Sequence, residues 1–268
     1  MSETRIQVHQ SDAIDLCEKQ QDGTVDVIIT DPPYWTLDRW RNVGTTTRLG
    51  GHRSKDKQRP EMFFKTIDQD YLWRTFLEFD RILKLDGHLY MFCDDRVAPI
   101  LLRWIREVKD EHRFGDAHLL IWDKVNMGMG YHYRRAYECI VFAWRELRDG
   151  VRGFKPRRLR DLGKPDIIRG IKRIARSKDS YPTEKPPALI HYLVSQSARV
   201  GDTLFDPFAG SGVLGAATPL DYEARIILGD KSPLAIEHMK QRLAGSELFD
   251  INADFFVPEV EATAGPRR

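Results

Sequence analysis

Asp31-Pro32-Pro33-Tyr34 is the stretch of this chain whose residue types can act together on one chemical group. The Asp31 carboxylate and the Pro32 carbonyl are neighbouring acceptors, suited to gripping the two hydrogens of an exocyclic amino group, and Tyr34 offers a face for stacking. An amine lone pair conjugated into a heteroaromatic ring is a poor nucleophile. Two acceptors pulling on its hydrogens would bend the nitrogen toward sp3 geometry and free the lone pair for attack. A capped strand running into a proline turn accounts for most Asp-Pro and Pro-Pro dipeptides, so the tetrapeptide has to be judged with its surroundings.

What precedes it is Val25-Asp26-Val27-Ile28-Ile29-Thr30, a nearly unbroken β-branched run that reads as a short strand buried on both faces. The two prolines cannot donate to a ladder, so the strand must stop at Asp31. The carboxylate, the prolines and the ring are thereby presented at the C-terminal edge of a buried strand, where open α/β sheets bind their ligands.

A second constellation lies far downstream. Residues 203–205 read as a strand, and Asp206-Pro207-Phe208-Ala209-Gly210-Ser211-Gly212 follows, opening a helix through Ala216 and Ala217. The glycines allow a tight turn and close backbone approach to a ligand, with helix N–H groups exposed to it. A strand over 225–228 and then Gly229-Asp230 place an acid where ribose hydroxyls would be held. Read literally, Gly210, Gly212 and Gly215 also spell the dinucleotide fingerprint, with an acid about twenty residues on. A nicotinamide-dependent oxidoreductase is therefore a rival, although hydride transfer does not need the Asp-Pro-Pro-Tyr tip.

The tetrapeptide resembles the catalytic motif of the S-adenosylmethionine-dependent amino methyltransferases that act on adenine N6 or cytosine N4. The 206–212 loop resembles their cofactor loop residue for residue, with Val213 where threonine is usual. Tip first, basic segment next and cofactor loop last is the order of the circularly permuted β group of DNA methyltransferases. The resemblance implies catalytic roles for Asp31, Pro32, Pro33 and Tyr34, and cofactor contacts at Asp206, Phe208, Gly210, Ser211, Gly212 and Asp230. It adds Asp12, as the acid against the cofactor's adenine ring, with a helix N-cap as the alternative. It also adds Lys185 from Tyr181-Pro182-Thr183-Glu184-Lys185-Pro186, a segment similar to the family's His-Pro-Thr-x-Lys-Pro with Tyr181 in place of histidine. Aspartate at the first motif position favours adenine N6; cytosine N4 is the alternative within the family. S-adenosylmethionine is the implied cofactor and double-stranded DNA the implied partner, and the family leaves room for a homodimer and for a separately acting restriction endonuclease.

The elements that must position these residues follow from periodicity. Residues 5–10 read as a strand and 13–18 as a helix, which puts Asp12 at the same edge as Asp31. Over 70–85 a helix is predicted with Leu72, Phe76, Phe79 and Leu83 on one face, then a strand over 88–93, then a helix capped by Asp94 or Asp95. Strands over 118–122 and 138–144 without an intervening helix must pair antiparallel or skip a position, and the resemblance puts a reversed strand at the end of the sheet. Pro187 opens a helix to about Ala198.

At 268 residues the chain is long enough for one sizeable α/β domain, and 41% hydrophobic with 31% charged residues describe an ordinary soluble globule. No apolar run reaches membrane-spanning length and the N-terminus lacks a signal-peptide pattern, so the expected location is cytoplasmic. Cys17, Cys93 and Cys139 have no metal-ligand spacing and read as reduced core thiols; no metal site is expected. Net charge is only +2, but residues 35–60 carry seven Lys or Arg against two acids, and residues 145–182 carry thirteen against five. Two basic segments on an acidic body suit a polyanion. The first, residues 35–65, is expected to be a loop facing DNA with Arg39, Arg41 and Arg53. The second, residues 145–182, is expected to be a target-recognition insert. In it Ile167, Ile168, Ile171, Ile174 and Ala175 would line one side of a helix and Arg169, Lys172, Arg173 and Arg176 the other. The expected whole is a three-layer α/β, Rossmann-like methyltransferase fold, circularly permuted, with a mostly parallel sheet and one reversed strand. It occupies residues 1–250 and is followed by a partly flexible tail at 251–268.

Overall fold

The computed structural model describes residues 4–37, 65–107, 114–127, 132–146, 157–174, 181, 183–244 and 252–256. Its strands are β1 Arg5–Gln10, β2 Val25–Thr30, β3 Leu83–Cys93, β4 Phe114–Asp123, β5 Tyr137–Arg145, β6 Ile167–Ile168, β7 Thr203–Asp206, β8 Arg225–Asp230 and β9 Asn252–Phe256. They form one sheet in the order β6-β4-β5-β3-β2-β7-β8-β1-β9. Pairings are parallel except those of β5, which runs against both β3 and β4.

Six helices flank it among the described residues: α1 Ala13–Glu18, α2 Gln69–Ile82, α3 Ala98–Glu107, α4 Pro187–Ser197, α5 Val213–Ala217 and α6 Pro233–Ala244. The period-two alternation of a strand assigns side chains to two cores. Val27, Ile29, Ile226 and Leu228 join Leu189 and Leu193 of α4, Leu214 of α5 and Met239 of α6. Ile28, Phe205 and Ile227 join Leu16 of α1, Phe76 and Phe79 of α2 and Leu101 of α3. A sheet with helices on both faces is the expected three-layer α/β arrangement, and all six residues of β2 are buried, as its unbroken apolar run requires.

Several expectations need correction. The reversed strand β5 is not at the end of the sheet, because β4 and β6 continue beyond it. Leu83 does not extend the face of α2. The helix ends at Ile82 with Leu83 in extended geometry, and β3 begins there. Residues 167–174 do not form a basic amphipathic helix: Ile167 and Ile168 pair with Ile121 and Trp122 as β6, and Gly170 at φ 82° breaks any helical path. Two adjacent β-branched residues beside an open strand gain more from the ladder than from a short helix. Asn252–Phe256, assigned to the tail, adds an edge strand to β1, with the Phe256 ring stacked on His9 at 4.5 Å. The loop at residues 38–64, with Arg39, Arg41 and Arg53, lies outside the described residues, as does Arg176. The three cysteines are buried and free. Among the described residues no helix is long and apolar enough to cross a membrane.

Candidate active site

Five parallel strands, β1, β8, β7, β2 and β3, finish along one edge, and a carboxylate stands at or just beyond the end of each: Asp12, Asp230, Asp206, Asp31 and Asp94. All five line a single cleft of about 1790 Å³, together with Tyr34, Lys185, Phe208, Gly210 and Ser211. Strands β2 and β7 are direct neighbours, so Asp31 and Asp206, 175 positions apart in sequence, end on adjacent strands.

The Asp31-Pro32-Pro33-Tyr34 tip is braced on both sides. The Tyr34 amide donates to the Pro32 carbonyl at 2.9 Å, and the Ile67 amide donates to the Pro33 carbonyl at 2.8 Å. Tyr34 is largely buried, with Ile67 and Leu37 packed against its core, and still lines the cleft. Asp31 Oδ2 accepts from Lys185 Nζ, while Oδ1 has no partner among the described residues. Burial pushes the Asp31 carboxyl up and Lys185 opposes the rise. Burial draws Lys185 down, but its partners Asp31 and Glu138 more than offset this and hold it above the usual lysine range.

At the glycine loop the arrangement differs from the expectation of free amides. The Gly210 amide donates to Asp230 Oδ2 at 3.0 Å, the Phe208 amide to Asp206 Oδ1 at 3.0 Å, and the Gly212 amide to the Ala209 carbonyl at 2.8 Å. What lines the cleft is instead a set of carboxylates. Burial pushes the Asp206 carboxyl up to about 7, against hydrogen bonds from Thr30 Oγ1 and the Phe208 amide. It also raises Asp230, against bonds from Ser232 and Gly210. Asp12 is both an N-cap, accepting from the Ile14 amide, and a cleft residue held by Tyr71 Oη at 2.5 Å and Lys231 Nζ at 3.1 Å. Gly210 sits at φ 52° with the Tyr181 ring 2.9 Å from where a Cβ would stand, so the loop packs against Tyr181 only because no side chain intervenes. Gly212, at φ 72°, does not line the cleft; it makes room for Met239.

This donor set fits a ligand with positive charge and sugar hydroxyls. Aspartates attract a sulfonium and an ammonium and accept from a ribose, each carboxylate oxygen keeping a second lone pair beyond its backbone bond. A pyrophosphate would need the amides that the loop uses internally. Tyr71, Lys231, Glu138 and Lys124 also line the cleft and were not singled out from the sequence. For the place of Glu138, though not for its partner, a signal existed: it lies at the start of the reversed strand, and the start of a reversed strand falls where parallel strands end. Arg173 lines the cleft, while Arg169 and Lys172 are exposed without lining it.

The DNA methylase family for N6 and N4 amino groups matches residues 25–220. The DNA adenine methyltransferase YhdJ of Escherichia coli (strain K12) is 25% identical over 241 residues, covering 80% of this chain and 74% of that protein. In structure the chain is similar to M1.HpyAVI in complex with SAM, with a TM-score of 0.58 and 23% identity over 89% of this chain and 100% of that one. It is also similar to the cytosine-N4-specific PvuII DNA methyltransferase, with a TM-score of 0.60 and 13% identity over 91% of this chain and 88% of that one. The chain belongs to the N6/N4 family of DNA methylases. It is a methyltransferase, and S-adenosylmethionine is its methyl donor.

Proposed function

We propose that the enzyme transfers the methyl group of S-adenosylmethionine to the N6 amino group of an adenine flipped out of duplex DNA. The observation that carries this reading is the meeting, in one cleft, of the Asp31-Pro32-Pro33-Tyr34 tip with the carboxylate-lined glycine loop on the adjacent strand. Asp12, Asp206, Phe208, Gly210, Ser211 and Asp230 would hold the donor, with Gly212 shaping the loop behind them. When bound, the donor would supply a methyl group on a sulfonium, the C–S electron pair staying with sulfur as the amino nitrogen takes the carbon, and the methylated nitrogen would then lose one proton to solvent.

The chain's own part is to hold the base. Tyr34 stacks it, and Asp31 Oδ1 and the second lone pair of the Pro32 carbonyl accept the two amino hydrogens, directing the nitrogen lone pair along the line of attack. Asp31 need not be a strong base, because the proton can leave after the methyl arrives. Aspartate at the first motif position favours adenine, in keeping with the adenine specificity in the name of the Escherichia coli relative. Cytosine N4 presents the same conjugated amine and is the second reading. The exposed Arg169, Lys172 and Arg173 are assigned to DNA phosphates, as are Arg39, Arg41, Arg53 and Arg176. The same reading places the enzyme in the cytoplasm with its DNA. It leaves a homodimer and a separately acting restriction endonuclease as partners to be sought.

Duplex DNA methylated by the enzyme, digested to nucleosides and analysed by mass spectrometry, should yield N6-methyladenine. N4-methylcytosine alone would overturn the adenine assignment. Asp31→Ala should abolish transfer while binding S-adenosylhomocysteine like the parent; activity within a few fold of the parent would remove Asp31 from the mechanism.

A further inference from the structure

Lys185 lies just ahead of α4, and its side chain is only 11% exposed. Its ammonium bonds Asp31 Oδ2, lies 3.4 Å from Glu138 Oε2 and stands 5.0 Å from the centre of the Phe92 ring. The other Glu138 oxygen takes Lys124 Nζ at 3.2 Å. The four side chains make a row of alternating charge, Asp31, Lys185, Glu138, Lys124, leading from the catalytic tip to β5. The glycine loop is served by a separate set of bonds, from Thr30, Phe208, Gly210 and Ser232 to Asp206 and Asp230.

We propose that Lys185 is a positioning residue for Asp31 rather than a donor contact, and that Glu138 sets how much of the lysine's charge Asp31 receives. The inference rests on the reading that Asp31 grips the target amino group. The Asp31 side chain is 30% exposed, and a carboxylate desolvated to that extent binds its proton more tightly and accepts less well without a cation beside it. Lys185 keeps Asp31 ionised and fixes Oδ2, so that Oδ1 is the oxygen left for the base. Glu138 competes for the same ammonium, which prevents the ion pair from exhausting the acceptor strength of Asp31.

Facing Asp31 are Lys185, Glu138 from β5, Asp206 from β7, Cys93 from β3, Tyr181 and Tyr34. Among these Lys185 is the cation. Burial raises the Asp31 carboxyl, Lys185 lowers it, and Glu138 adds to the rise.

The two substitutions therefore have opposite signs. Lys185→Met should bind S-adenosylhomocysteine within about threefold of the parent, lower kcat about tenfold or more at pH 7, and move the acid limb of the kcat–pH profile upward by about one unit or more. Lys185→Arg should bring the limb back. Glu138→Gln should move the limb downward, because Lys185 is then shared with no second acid. Loss of S-adenosylhomocysteine affinity in Lys185→Met with an unmoved limb would make Lys185 a donor contact and overturn the proposal. Limbs moving together, or not at all, would show a merely structural role and overturn it too. Asp31→Ala measured alongside separates the levels: full activity there sinks the assignment of Asp31 itself, whatever Lys185 does.

Discussion

Asp206 ends β7 with its carboxylate buried and hydrogen-bonded by Thr30 Oγ1 at 2.8 Å, yet burial holds it partly protonated near pH 7. The methyl donor is cationic at its sulfonium and at its ammonium, so it favours the ionised form. Donor affinity should then rise as pH is raised from 6, by up to about tenfold per unit below the pKa, and level off above 8. Below pH 7 binding should expel a proton, read calorimetrically from S-adenosylmethionine binding without DNA in two buffers of different ionisation heat. A flat affinity from pH 6 to 8 would place the positive charge away from Asp206. At this scale the sequence was readable wherever the chemistry is contiguous, as in residues 31–34 and 206–212. It was not readable for Tyr71 on Asp12 or Glu138 on Lys185, whose partners lie 59 and 47 positions away and are joined only by the packing of α2 and the register of β5.

At the level of elements, the strands that form the cleft were legible because β-branched runs bounded by Asp, Pro and Gly have few alternative conformations. The segment after β5 was not. Its isoleucines have helical spacing, but two of them complete a ladder, and the Trp122 indole N–H reaches over to the Ile171 carbonyl at 2.8 Å. The charge of this segment also misleads. Arg157 is buried, with Nη2 3.0 Å from Asp26 Oδ1 and Nη1 bonded to Asp202, and its backbone carbonyl meets His88 Nε2. It therefore clamps the segment to the starts of β2 and β7 and is unavailable to phosphate. Arg157→Met would leave Asp202 buried without its cation, a change that costs about 3–5 kcal/mol where such pairs have been broken. The expected result is a clearly lower urea midpoint with unchanged DNA affinity per folded molecule. An unchanged midpoint would mean that Asp202 finds another donor.

For the molecule as a whole, a net charge of +2 conceals a division between the carboxylates at the strand ends, proposed to hold the donor, and exposed cations beside them. Arg169, Lys172 and Arg173 are exposed around β6, next to β4 at one end of the sheet. If each touches one phosphate, replacing it with alanine should lower the slope of log affinity against log salt by about 0.9, without altering donor binding. Unchanged slopes in all three would take this end of the sheet off the DNA.

The order of the strands also bears on how the protein is made. Arg5 pairs with Arg225, and the other neighbour of β1 is β9, so β1 leaves the ribosome long before either of the described strands that pair with it. At about 5–20 residues per second, Ile6 and Val8 wait roughly 10–45 s for a partner, exposed to water although the finished fold buries them completely. The Asp31-Pro32-Pro33-Tyr34 tip is likewise translated long before the strand that carries Asp206. A nascent chain that stops short of β7 and β8 thus presents an open apolar strand edge and lacks the Asp206 and Asp230 side of the cleft.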